Sequence, residues 1–170
     1  MAVEVATLKE NMENKTTAWH AGMEFCEGSL MGLPAVVVQS GVGKVNAAMC
    51  AQILASCYAV THLVNTGIAG SLCNDLDIGD LVVSRDAMYH DFDCVHFGYE
   101  MGRVPGMDVV AFPADETMAS LAFAAAERVN PGHTKLGRVA SGDLFVAERK
   151  AKERIIQRTG ALCTEMEGAA

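Results

Sequence analysis

Short apolar runs and longer alanine-rich ones alternate along this chain, with glycine or proline between many of them. Few architectures accept that order. Val45–Ala59 contains neither glycine nor proline and reads as a buried helix. Val3–Met12 reads as a short helix, with Val5, Leu8 and Met12 at helical spacing. Between them Thr17–His20, Met23–Leu30 and Ala35–Gln39 read as strands, separated by Gly22 and Gly32-Leu33-Pro34. Further on, Thr61–Asn65 and Asp80–Tyr89 read as strands, and Asp91–Met107 as a long polar and aromatic loop. Asp115–Val129 is a predicted helix with Asp115 as its N-cap. Thr134–Ala140 then reads as a strand, Ala147–Arg158 as a helix and Ala161–Glu165 as a strand. The alternation predicts an α/β fold with a mixed central sheet flanked by helices. No repeat or linker interrupts it, so residues 1–170 read as a single domain, long enough to bury a core.

The net charge of −8 argues against a nucleic-acid partner, whose binding rests on lysine and arginine neutralising phosphates. No apolar run reaches the length of a membrane span, and no charged-then-apolar leader opens the chain. The six cysteines have no Cys-x-x-Cys spacing and sit mostly among apolar neighbours. Reduced thiols in a cytoplasmic protein are the expectation.

In open α/β sheets, ligands gather beyond the carboxyl ends of strands. Three such exits carry suggestive residues. Ser40-Gly41-Val42-Gly43-Lys44-Val45 is a glycine-rich turn into a helix, without the spacing of a phosphate-binding P-loop. A tight strand–helix turn explains it equally well. Thr66-Gly67-Ile68-Ala69-Gly70-Ser71 is small enough to leave room for a flat ligand, or is again only a turn. Ser141-Gly142-Asp143-Leu144-Phe145 ends a strand on an aromatic ring, a stacking platform for a planar base or an ordinary core residue. Near the end, Leu162-Cys-Thr-Glu-Met-Glu167 places two carboxylates around a methionine. In an extended segment Glu165 and Glu167 would share one side, where sugar hydroxyls could relieve their repulsion.

Taken in order, Ser-Gly-Val-Gly-Lys-Val (40–45), Asn-Thr-Gly-Ile-Ala-Gly (65–70), Tyr-His-Asp (89–91), Phe-Gly-Tyr-Glu (97–100), Pro-Gly (105–106), Ser-Gly-Asp-x-Phe (141–145) and Glu-Met-Glu (165–167) resemble the 5′-methylthioadenosine/S-adenosylhomocysteine nucleosidases. These belong to the purine nucleoside phosphorylase superfamily, and the resemblance runs from Met1 to Ala170. It implies hydrolysis of the N-glycosidic bond of those two nucleosides, with release of adenine and no metal or other cofactor. Glu4, in Met-x-x-Glu, matches the base that activates water. Met166 matches the methionine packed on the ribose, Glu167 the carboxylate that accepts its hydroxyls, and Phe145 the ring stacked on adenine. Val146 would reach the base through its backbone, while Met1, Val42, Ala69 and Gly70 would line the ribose and water site. Glu165 joins the substrate-binding set through its place in the motif. A small purine nucleoside is the implied ligand. The Phe97–Met101 segment is implied to join a homodimer interface that completes the neighbour's pocket.

The resemblance also implies a chain incomplete at both ends. Family members open with an apolar strand before Met-x-x-Glu and protonate the leaving adenine from an aspartate beyond Glu-Met-Glu. On that expectation residues 1–170 alone release no adenine at a useful rate. Ile68 stands where many members carry serine, a departure the retained base should tolerate. Related chemistries are 6-amino-6-deoxyfutalosine hydrolysis and phosphorolysis. The latter needs an anion site with arginines, and neither Asn65–Ser71 nor Ser40–Val45 supplies one. A non-catalytic nucleoside-binding role for the chain as given is the remaining alternative. The cluster His90, Asp91, Asp93 and His96 matches no common zinc spacing and reads as a loop network. Lys135, Arg138, Arg149, Lys150, Lys152 and Arg154 read as a solvated face.

Overall fold

The computed structural model describes residues 1–170, and their contacts separate into two compact units, Met1–Ile68 and Ala69–Ala170. In the first unit, helix α1 (Ala2–Glu10) leads into an antiparallel sheet of β1 (Met12–His20), β2 (Met23–Leu30) and β3 (Leu33–Val38). Ala21-Gly22 and Met31-Gly32 join the strands as two-residue turns with positive φ throughout, the geometry that follows natural strand twist. Alternation along β2 sends Cys26 to one face and Phe25 to the other. On the Cys26 face, Met12 and Val37 bury with it against Val5 and Leu8 of α1. On the Phe25 face, Met23 and Cys50 bury with it against Ile53 and Leu54 of α2 (Lys44–Cys57). Phe25 stacks on Tyr58 at 5.4 Å, and burying a ring of this size contributes about 1.5–3 kcal/mol.

The second unit holds a five-stranded mixed sheet in the order β4-β8-β7-β5-β6, built from Gly70–Ser71, Cys163–Glu165, Thr134–Ser141, Leu81–Tyr89 and Ala111–Pro113. The β5–β7 and β7–β8 pairs are parallel, and the two edge pairs are antiparallel. Helix α3 (Glu116–Val129) packs on β5 and β7, and α4 (Arg149–Thr159) on β7. Asp115 caps α3 as predicted, accepting the Met118 N–H at 2.8 Å. Leu72, Ala140, Ile155 and Ala161 form the core, with Val146 packed against them.

The α/β class with a mixed sheet holds: the mixed sheet is the five-stranded one, and the first unit adds a three-stranded antiparallel sheet. Three further expectations change. Thr61–Asn65 has no ladder partner and is not a strand. Helix α2 buries only Cys50, because a single face of it meets β2 and β3. Arg138 is no solvated residue: its guanidinium grips Asp86 through Nε–Oδ1 at 2.5 Å and Nη2–Oδ2 at 3.1 Å, and donates to the Thr159 carbonyl at 2.9 Å. These bonds tie β5, β7 and the end of α4 together. The Arg138 hydrogen bonds hold the Asp86 carboxyl below its ordinary pKa.

Candidate functional site

The residues that the sequence nominates fall into two sets, one in each unit. In the first, Glu4 lies in the opening turn of α1, where a carboxylate complements the helix dipole. Its Oε1 accepts the Ile68 N–H at 2.9 Å, and Oε2 pairs with the amino group of Met1. Gly67 makes that approach possible: a β-carbon there would lie 2.8 Å from Glu4 Oε1. The room left by the small residues at 66–70 is thus partly filled by a carboxylate of the chain itself. Val42 is exposed in the turn before α2, where its carbonyl accepts the Asn46 side-chain N–H at 2.6 Å. The same turn borders a groove of about 390 Å³, walled by Trp19, Gln39, Ser40, Gly41 and Asn46.

In the second unit the parallel strands β7 and β8 end side by side, with Ser141 opposite Glu165. Gly70 of β4 pairs with Thr164, which places Gly70 one register position from Glu165, and Ala69 precedes it on an exposed stretch. Past β7 the chain turns sharply at Gly142. A β-carbon there would lie 2.4 Å from the His90 ring and 2.9 Å from the Asp91 carboxyl carbon. The His90 N–H donates to the Ser141 carbonyl at 2.9 Å, and the Asp143 N–H to Asp91 Oδ2 at 2.8 Å. The Tyr-His-Asp and Ser-Gly-Asp motifs therefore form one packed corner. It presents Phe145 largely to solvent, 82 % exposed, and tucks Val146 against the core.

Glu165 and Glu167 do not act alike. Both oxygens of Glu165 are engaged within the chain: Oε1 by the Ser141 hydroxyl, Oε2 by the N–H groups of Glu167 and Gly168 at 2.8 and 2.6 Å. The shared-side picture of the two carboxylates gives way here, because the chain turns immediately after β8. Glu167 is half-buried, and its Oε2 accepts the Met166 N–H at 3.3 Å. A carboxylate offers about four acceptor sites, so Glu167 can also accept the hydroxyls of a vicinal diol. Beside this turn, burial and then the Glu165 charge push the Cys163 thiol up to about 11, so it is protonated and inert at neutral pH.

Ser141 and Gly67 were missed as site residues. Their motifs were visible, but the partners that define their roles lie 28 and 63 residues away in sequence, at Ala169 and Glu4. No group of three or more His, Cys, Asp or Glu side chains is arranged to hold a metal ion. Asp91 and Asp93 instead accept backbone N–H groups of Asp143 and Val95. No helix is long and apolar enough to cross a membrane.

The Phosphorylase superfamily model matches residues 1–170. The chain is 40% identical over 171 residues to a 5′-methylthioadenosine/S-adenosylhomocysteine nucleosidase of Chromohalobacter salexigens, covering 100% of this chain and 72% of the relative. Among solved structures, it resembles the nucleosidase of that name from Colwellia psychrerythraea in complex with adenine. The TM-score is 0.94 at 36% identity, over 99% of this chain and 70% of the other. The Neisseria meningitidis nucleosidase in complex with methylthio-immucillin-A gives a TM-score of 0.93 at 34% identity, over 99% and 73%.

Proposed function

Because the chain belongs to the phosphorylase superfamily, and within it to the 5′-methylthioadenosine/S-adenosylhomocysteine nucleosidases, we propose that it hydrolyses the N-glycosidic bond of those two nucleosides. Such cleavage passes through an oxocarbenium-like state, as in other glycoside hydrolysis. Glu4 takes the proton of the attacking water, with one of its oxygens already fixed by the Ile68 N–H. Glu167, held by the Met166 N–H, takes the ribose hydroxyls, and its negative charge favours the cationic sugar. Phe145, open on one side, stacks on adenine, and the Val146 backbone meets the polar edge of the base. Met1, Val42, Ala69 and Gly70 complete the lining around sugar and water. The observation that carries this reading is the Glu167 carboxylate, held by the Met166 N–H, in a chain whose structural relative is in complex with adenine. Nothing in the chain favours futalosine hydrolysis or phosphorolysis over it.

The test is adenine release from 5′-methylthioadenosine by the intact protein, with and without inorganic phosphate. The expected rate is indifferent to phosphate and falls by roughly 10²–10⁴ in Glu4→Gln, while nucleoside binding survives. A phosphate-dependent rate would overturn hydrolysis. Wild-type turnover in Glu4→Gln would remove Glu4 from the mechanism.

A homodimer is part of the proposal. It is supported by Val95, Phe97 and Met107, which stand exposed on the loop between β5 and β6. So is a cytoplasmic setting, supported by six thiols that form no disulfide. Recovery of the native protein from a membrane or periplasmic fraction would overturn the latter.

A further inference from the structure

The turn after β8 belongs to no helix or strand, yet three consecutive backbone N–H groups in it have acceptors. Glu167 and Gly168 donate to Glu165 Oε2 at 2.8 and 2.6 Å, and Ala169 donates to Ser141 Oγ at 2.9 Å. The Ser141 hydroxyl in turn donates to Glu165 Oε1. The Gly142 N–H donates to the Glu165 carbonyl at 3.2 Å, closing a frame between the ends of β7 and β8. Ser141 is completely buried and Ala169 nearly so. A carboxylate holds amide donors more strongly than a neutral acceptor does. A network satisfied in this way and anchored on the buried Ser141 fixes a single conformation. What that conformation presents is the Glu167 carboxylate, itself held by the Met166 N–H.

We infer that Ser141 and Glu165 are positioning residues. They set the turn that aims Glu167 at the ribose 2′- and 3′-hydroxyls, without themselves touching the nucleoside. The inference rests on the nucleosidase reading above, and it moves Glu165 from the ligand-binding set into the frame behind it.

The experiment is isothermal titration of the intact protein with two ligands. One is a carbon-linked adenosine analogue, which cannot be hydrolysed, and the other its 2′-deoxy counterpart. Glu167→Gln should weaken the ribo ligand about tenfold or more and the deoxy ligand little. If it leaves the ribose preference intact, the assignment of Glu167 to the sugar fails, whatever Ser141 does. Given the expected Glu167 result, Ser141→Ala should also lose about tenfold in ribose preference. The double variant should then lose no more than Glu167→Gln alone, since both act through one contact. Glu165→Gln keeps the size and one oxygen acceptor, and should lose ribose preference to a smaller extent. Equal weakening of both ligands by Ser141→Ala, or effects that add in the double variant, would overturn the inference. So would failure of both Ser141→Ala and Glu165→Gln to fold, because the pair would then serve the fold and not the site.

Discussion

A methyl group on residue 67 would lie 2.8 Å from Glu4 Oε1, so Gly67→Ala must displace either the loop or the carboxylate. Displacing a catalytic group by about 1 Å can lower the rate by roughly a hundredfold. Gly67→Ala is therefore expected to reduce kcat by one to two orders of magnitude on that basis, with little change in affinity for the carbon-linked analogue. Steady-state kinetics beside titration checks this, and an alanine variant with wild-type kcat would separate Gly67 from Glu4. At this scale the sequence nominates residues wherever a side chain carries its own chemistry, as with Glu4, Met166, Glu167 and Phe145. It was unreadable where the role depends on what comes close. Nothing local to Gly67 says that the space beside it holds Glu4, and nothing local to Ser141 says that its hydroxyl takes the Ala169 N–H.

Among the elements, β5 and β7 are joined not only by their ladder but by the Arg138 grip on Asp86, which also reaches the last turn of α4. The folded-state pKa of Asp86 is depressed, chiefly by the Arg138 hydrogen bonds. Its contribution to stability is therefore present above the unfolded value of about 3.9 and fades as pH falls through the lower folded value. Charge-assisted bonds of this kind contribute about 1.5–3 kcal/mol. Urea denaturation between neutral pH and strong acid should show Asp86→Asn less stable at neutral pH, with the gap to wild type closing as acid is added. A gap that stays constant down to strong acid would mean the aspartate charge does not matter. The longer elements were legible because periodicity and an N-cap, as at Asp115, are local signals. The two-residue β4 and three-residue β6 carry too little pattern to be read. Thr61–Asn65 shows the converse, since an apolar run is a strand only when another strand pairs with it.

For the whole molecule, the proposed homodimer predicts a sedimentation mass of two chains. Phe97→Asp, which puts a charge on the most exposed aromatic ring of the β5–β6 loop, should shift it toward one. A wild-type protein monomeric at high concentration would end the dimer reading. The two units also differ in how far along the chain their partners lie. The first sheet pairs strands joined by tight turns and closes once Val38 is in place. The frame behind Glu167 joins Ser141 to Glu165 and Ala169, and it rests on a parallel β5–β7 pair whose strands are linked through β6 and α3. Closing so long a segment costs more chain entropy than closing a hairpin. For a polypeptide leaving the ribosome, the sheet that carries α1 can therefore organise early, whereas the turn that presents Glu167 cannot take shape until Ala169 has emerged. The corner proposed to face the sugar therefore forms later than the first sheet.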